Sequence, residues 1–308
     1  MLSDRLIGEI IKKESPIVVG LDPRLDMIPE DIRNKHFKTY GETLKAVSES
    51  IIEFNRGIID SVAPHVPAVK PQIAFYEQYG IEGLVAYQDA CKYAKENGLI
   101  VVGDVKRGDI GSTSKAYSIA HLGKAIVGNK KISTFEVDFA TINPYLGDDC
   151  MQEFMEEIEL YDKGIFILVK TSNKTSGQIQ DLDVSGQKVY EKVARIVNHW
   201  SEKNFGNSGY SSIGAVVGAT YPAELELLRK KMPRAMFLVP GYGAQGGGAR
   251  DIVGAFDGDG LGALINNSRG ILYAYIKEGG DYKGAAEKAT IDMKLAIAKE
   301  VKNLRNHY

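Results

Sequence analysis

Long apolar runs are missing from this 308-residue sequence, and so are cysteine pairs, an excess of charge of either sign and a histidine near any expected strand end. Each absence excludes something. With 38 basic and 40 acidic residues the formal net charge is -2. That balance supplies no broad field to draw in nucleic acid or an anionic membrane, so a phosphate-bearing small molecule would need a local site. The two cysteines, Cys91 and Cys150, make no CxxC pair and no metal-ligand spacing. Two buried free thiols are the expectation, with a disulfide between them left open. No apolar stretch approaches the roughly 20 residues of a membrane helix. Met1 to Glu14 lacks the apolar stretch of a signal peptide. Its apolar residues Leu2, Leu6, Ile7, Ile10 and Ile11 instead fall at helical spacing, which predicts a capping helix. These features point to the cytoplasm. The histidines, His36, His65, His121, His199 and His307, are scattered, which argues against Ser-His-Asp or Cys-His chemistry.

What is present suffices for a full core: 44% hydrophobic and 25% charged residues, the ordinary balance of a globular domain. Eight short apolar runs predict strands at Ile17–Leu21, Ala68–Ile73, Leu99–Val105, Glu136–Ile142, Gly164–Val169, Ile213–Val217, Met236–Val239 and Ala263–Ile265. Helical patterns separate them at Thr43–Val62, Ile81–Asn97, Ser114–Val127, Cys150–Leu160, Gln187–Lys203, Ala223–Lys231 and Tyr282–Arg305. Alternating strands and helices imply a parallel sheet. Eight units predict a closed (β/α)8 TIM barrel, whereas nine or ten would equally describe an open doubly wound sheet. Two connections are long, Asp22 to Glu42 and Thr171 to Val184, and Asn204–Ser212 is a polar surface loop. No segment has the composition of a linker, so residues 1–308 are expected to form one catalytic domain.

A barrel carries its active site at the C-terminal ends of its strands. The residues expected there are Asp22, Lys70, Asp104 with Lys106, Asn143, Thr171 with Ser172, Gln245 and Arg269. Loops are wet, and that alone accounts for most of these. It does not easily account for the third strand, which runs from Leu99 through Asp104-Val-Lys106-Arg-Gly-Asp109 to Thr113. Asp104 and Lys106 are two apart and share a face. At a barrel mouth such charges cost several kcal/mol per ion unless they are paired, and alternating Lys and Asp supply the pairing. Two carboxylates could hold Mg²⁺, but Lys106 stands where the cation would sit. A lysine beside carboxylates stays protonated, can stabilise a developing carbanion and can then protonate it.

Opposite these charges, Val239-Pro-Gly-Tyr-Gly-Ala-Gln-Gly-Gly-Gly248 follows the seventh strand and Asn266-Asn-Ser-Arg-Gly270 the eighth. Loops in these two places frequently bind phosphate in barrels. Glycine amides, Gln245 and the guanidinium of Arg269 suit an anion, and the glycine loop could also close as a lid.

The segment Asp104-Val-Lys106-Arg-Gly-Asp109-Ile-Gly-Ser-Thr113 resembles the DxKxxD signature of the orotidine 5′-phosphate decarboxylases. Further segments resemble the longer bacterial branch of that family, in family order: Gly20-Leu-Asp-Pro23, Val69-Lys-Pro-Gln72, Asn143-Pro-Tyr-Leu-Gly147, Lys170-Thr-Ser-Asn173, Val239–Gln245 and Ser268-Arg-Gly270. The resemblance implies a cofactor-free, metal-free decarboxylation of orotidine 5′-monophosphate with a catalytic tetrad of Lys70, Asp104, Lys106 and Asp109. Lys106 would donate the proton. Asp22 and Lys70 would hold ribose hydroxyls, Ser172 the pyrimidine amide edge, and Gln245 and Arg269 the phosphate. It also implies a homodimer in which Asp109 and Thr113 reach the neighbouring subunit's site. A related phosphosugar barrel enzyme that needs Mg²⁺, or a non-catalytic nucleotide-binding barrel, would use much of the same framework.

Overall fold

The eight apolar runs form a closed barrel of eight parallel strands in the computed structural model, which describes residues 1–220, 222–243 and 247–305. Numbered along the chain, the strands are β1 Ile17–Leu21, β2 Ala68–Pro71, β3 Ile100–Arg107, β4 Ala125–Val127, β5 Lys130–Ile132, β6 Phe139–Ile142, β7 Gly164–Lys170, β8 Ser211–Val217, β9 Ala235–Val239 and β10 Ala263–Asn267. The order around the barrel is β1-β10-β9-β8-β7-β6-β3-β2, and β4 and β5 stand apart as an antiparallel hairpin. Barrel strands consecutive in the chain are therefore neighbours in space, with helices in the crossovers.

Strands buried on both faces need apolar residues on both, which is why they are rich in Val, Ile and Phe. The two faces build two cores. Alternate residues such as Ile17, Val19, Leu21, Val69 and Val101 pack outward against the helices. Val18, Ala68, Ile100, Val102, Phe139, Phe166, Met236, Leu238 and Leu264 face inward and join Leu2, Leu6, Ile7 and Ile10 of the helix Leu2–Lys13. That helix plugs the N-terminal end of the barrel, as its spacing predicts, and stops at Glu14 in the left-handed conformation.

One sequence expectation needs correction. The helix expected over Ser114–Val127 is Gly111–His121, and Ala125–Val127 is instead the first strand of the hairpin. The helix is capped at Leu122, and Gly123 follows it where a Cβ would come 2.4 Å from a carboxylate oxygen of Glu157 and 3.0 Å from the Ile119 Cα. Beyond it Ile126 and Val127 are exposed, so their apolar character does not mark a buried face. The long connection from Asp22 to Glu42 contains a helix, Glu30–Tyr40. The connection from Thr171 to Val184 has one short helix, Gly177–Gln180. Cys91 and Cys150 are buried free thiols. Among the described residues no helix is long and apolar enough to cross a membrane.

Candidate active site

Because side chains alternate along a strand, the inward face that carries Ala68 carries Lys70 next, and the face of Ile100 and Val102 carries Asp104. The C-terminal end of the barrel thus receives charge on the same stripes that are apolar lower down. Lys70 Nζ lies 2.7 Å from Asp104 Oδ2, and Lys106 Nζ lies 2.5 Å from Asp104 Oδ1. The Lys70 and Asp104 side chains are 5% and 10% exposed, whereas that of Lys106 is 46% exposed. The ammonium of Lys106 therefore rests on a buried carboxylate while its side chain faces the open mouth.

Electrostatics fix these protonation states. Burial alone would favour neutral Lys70, but the charges of Asp104 and Asp22 outweigh it and raise its pKa above the ordinary lysine value. Burial likewise works against ionised Asp104, yet Lys70 and Lys106 hold its carboxyl well below the usual carboxylate range. With an ammonium on each carboxylate oxygen, Asp104 is poorly placed to bind a divalent cation as well.

The backbone at this point is irregular. The pairing of β3 with β6 shifts register between Gly103 and Arg107, and Lys106 sits at φ +46°. A left-handed non-glycine residue costs about 1–2 kcal/mol. Thr141, on the inward face of β6 and 1% exposed, lies against the bulge. Its hydroxyl accepts from the amides of Val105 and Lys106, both at 2.9 Å, and donates to Asp104 Oδ1 at 3.0 Å.

Asp22 follows β1, the strand that pairs with β2 on the side away from β3. Its Oδ2 accepts from the Ser268 hydroxyl at 2.6 Å, and its carbonyl accepts from the Tyr273 hydroxyl at 2.9 Å. Its Oδ1 is buried without a hydrogen-bond partner among the described residues, which leaves an acceptor in hand. Gly20 makes the close approach of β1 to Ser268 possible, since a Cβ there would lie 2.7 Å from the Ser268 Cβ.

The other expected site residues divide. Arg269 opens the short helix Arg269–Leu272 directly after Ser268 and is exposed, and its guanidinium has no hydrogen-bond or ion-pair partner among the described residues. Ser172 is half-buried and packs against the end of β8, where a Cβ on Gly218 would meet it at 2.9 Å. Its loop is tied down by a two-way bond between Thr171 and Gln180, at 3.0 and 2.7 Å, and by buried Lys170, 2.5 Å from Asp181. Asn143 is exposed and accepts from the Tyr145 amide, so it shapes its own turn. Asp109 accepts from the Ile110 amide at 2.7 Å and forms no ion pair with Lys106 or Lys70. Thr113 is exposed on the next helix. Gln245 lies outside the described residues, although Gly243 before it takes the left-handed φ of +72° that glycine permits.

Two residues at the mouth went unremarked from sequence. Ser268 entered only as part of a motif, and Thr141 as one β-branched residue in a strand. The alternation that places Asn143 at a strand end also places Thr141 on the same face two residues earlier, and that was the available signal.

The chain is similar to known proteins over most of its length. Residues 15–280 match the family described as orotidine 5′-phosphate decarboxylase / HUMPS. The orotidine 5′-phosphate decarboxylase of Caldicellulosiruptor saccharolyticus is 42% identical over 273 residues, covering 89% of this chain and 90% of the relative. That of Clostridium perfringens is 38% identical over 304 residues, covering 98% and 99%. Among solved structures, the OMP decarboxylase of Leishmania donovani superimposes with a TM-score of 0.72 at 31% identity, covering 99% of each chain.

Proposed function

The chain belongs to the orotidine 5′-phosphate decarboxylase / HUMPS family and is a carboxy-lyase that decarboxylates orotidine 5′-monophosphate in pyrimidine biosynthesis; from that premise we propose that Lys106 is the proton donor at C6. The observation that carries this is the half-exposed Lys106 ammonium held 2.5 Å from buried, ionised Asp104. The C6–carboxylate bond breaks, CO₂ leaves, and the electron pair stays on C6. The Lys106 ammonium stabilises that pair and delivers a proton to it, giving uridine 5′-monophosphate, and the lysine amine regains a proton from water. Lys70 and Asp104 hold the ammonium in place before substrate arrives, so little reorganisation is left for the transition state. No cofactor enters this scheme.

Binding energy comes from elsewhere in the mouth. Asp22, with its unsatisfied oxygen, and Lys70 hold ribose hydroxyls. Arg269, whose guanidinium has no protein partner among the described residues, holds the phosphate, together with Gln245. Ser172 meets the pyrimidine amide edge. Remote contacts of this kind supply free energy that is used at the reacting carbon.

We also read residues 1–308 as one catalytic domain, cytoplasmic, and active as a homodimer. Asp109 and Thr113 would then complete the partner's site, with Asp109 as the fourth member of the tetrad. Two observations support the dimer. Asp109 forms no ion pair with the lysines of its own chain. Beside it, Ile110, Tyr145 and Leu146 are 65%, 80% and 47% exposed, on two loops joined where the Asn143 amide donates to the Arg107 carbonyl. Apolar residues grouped this way favour a covering partner.

Lys106→Ala tests the donor assignment. Turnover, followed by the loss of orotidine 5′-monophosphate absorbance, should vanish while the fold survives; near-normal decarboxylation by this variant would sink it. Unchanged wild-type activity in EDTA separates this reading from a Mg²⁺-dependent phosphosugar reaction.

A further inference from the structure

We propose that Thr141 is a positioning residue for the decarboxylation, setting the place of the Lys106 ammonium through the backbone bulge that carries it. The proposal rests on the reading of Lys106 as the proton donor and adds a residue to it.

A hydroxyl has one donor and two acceptor positions, and Thr141 uses all three on one short segment. Val105 and Lys106 present successive amides to it at 2.9 Å, and Asp104 Oδ1 receives its proton at 3.0 Å. Two successive amides converge on one oxygen only where the strand departs from regular alternation. β3 departs here: its register against β6 shifts between Gly103 and Arg107, and Lys106 takes φ +46°. In a regular β3 those two amides would point to opposite sides and bond to carbonyls of the two flanking strands, β2 and β6. The Thr141 hydroxyl replaces such bonds and holds Lys106 in a conformation that L side chains rarely adopt.

The same hydroxyl reaches the carboxylate oxygen that the Lys106 ammonium contacts, 2.5 Å away. Both ends of the lysine are thus referred to one atom, the main chain directly and the ammonium through Asp104. Because Thr141 is almost fully buried behind the ion pairs, it serves the reaction through Lys106 and Asp104 and need not touch substrate. Threonine also fits on packing grounds. Its methyl and β-branched shape suit a barrel strand, while its hydroxyl supplies what valine could not.

Thr141→Val keeps the shape and deletes the three hydrogen bonds. The kcat should fall roughly 10–100-fold, the range expected when a reacting group is slightly misplaced. The KM and the affinity for uridine 5′-monophosphate, measured by titration, should stay within about twofold, because the groups that hold ribose and phosphate are untouched. Thr141→Ser restores the hydroxyl and should recover most of kcat. If the valine variant does not fold, Thr141→Cys, of similar size and weaker hydrogen bonding, is read the same way against serine. A valine or cysteine variant with near-normal kcat would overturn the proposal. So would a serine variant as slow as valine, or a kcat loss matched by an equal loss of uridine 5′-monophosphate affinity. An inactive Lys106→Ala beside a near-normal Thr141→Val removes the role of Thr141 alone. An active Lys106→Ala removes both the donor assignment and the proposal built on it.

Discussion

The two ends of the barrel are made from the same strands and have opposite chemistry. At the N-terminal end Ala68, Ile100, Val102, Phe139 and Phe166 face inward and are sealed by the helix Leu2–Lys13. One or two inward positions further along the same strands come Lys70, Asp104, Lys106 and Thr141. The apolar end gains its stability by excluding water, at about 25 cal/mol per Å² of buried apolar surface. The charged end loses stability by removing ions from water and regains part of it by pairing them. Apolar residues of similar volume can replace one another in the plug, whereas the mouth depends on a buried carboxylate held between two ammonium groups.

The largest expected effect comes from breaking the charged end from within. Asp104→Ala leaves Lys70 buried without its partner, so it should abolish turnover and also destabilise the fold by about 3–5 kcal/mol, read by denaturant unfolding. Stability within 1 kcal/mol of wild type would show that Lys70 escapes to water and is not held. Phe166→Ala cuts into the other end, where its ring lies 4.8 Å from that of Phe139. It should also cost about 3–5 kcal/mol, but with kcat per folded molecule unchanged. A matching loss of kcat would mean that the two ends are mechanically coupled. Arg269→Ala, at the exposed rim, should lower kcat/KM roughly 100-fold, about 2.7 kcal/mol, without moving the melting midpoint. Unchanged kinetics there would place the phosphate site elsewhere.

The effect that is smallest at neutral pH emerges only as pH is changed. The depressed pKa of Asp104 contributes stability above the ordinary carboxylate value of about 3.9, and this is lost as pH falls below it. The raised pKa of Lys70 contributes stability below the ordinary lysine value of about 10.4, and this is lost as pH rises through the folded value. Between those limits the pair does not titrate, so it should impose no pH dependence on kcat. His121, in the helical shell, behaves differently, because burial lowers its pKa to about 3. Its neutral form stabilises the fold above about pH 6.5, and that contribution is lost as pH falls towards 3, with a slope approaching 1.4 kcal/mol per pH unit. His121→Leu should flatten unfolding free energy against pH across that window; an unchanged slope would assign it to other groups.

How far sequence reached follows the same division. The inward and outward stripes were legible because buried parallel strands leave continuous runs such as Ile17-Val-Val and Gly164-Ile-Phe-Ile-Leu-Val. The plug helix was legible from Leu2, Leu6, Ile7 and Ile10. The hairpin Ala125–Ile132 was not, because exposed Ile126 and Val127 look like a helix's buried face when burial is unknown. At the mouth, Asp22, Lys70, Asp104 and Lys106 announce themselves as charges at the ends of apolar runs. Thr141 could not, since a threonine in Phe-Ala-Thr-Ile is an ordinary strand residue until a bulge opposite gives its hydroxyl two amides to hold. Asp109 shows the limit of one chain: its spacing marked it, but no ion pair joins it to Lys106 within the chain.

The central claim is that the charges at the mouth are kept for the reaction and not for the fold. The most direct test is the double variant Lys70→Met/Asp104→Leu, which replaces the buried pair with apolar groups of similar size and leaves the half-exposed Lys106 in place. Its melting midpoint should lie at or above that of the wild type, as is often seen when buried ion pairs are replaced by apolar residues, and it should show no measurable decarboxylation. A midpoint well below wild type, or turnover that survives, would contradict the claim.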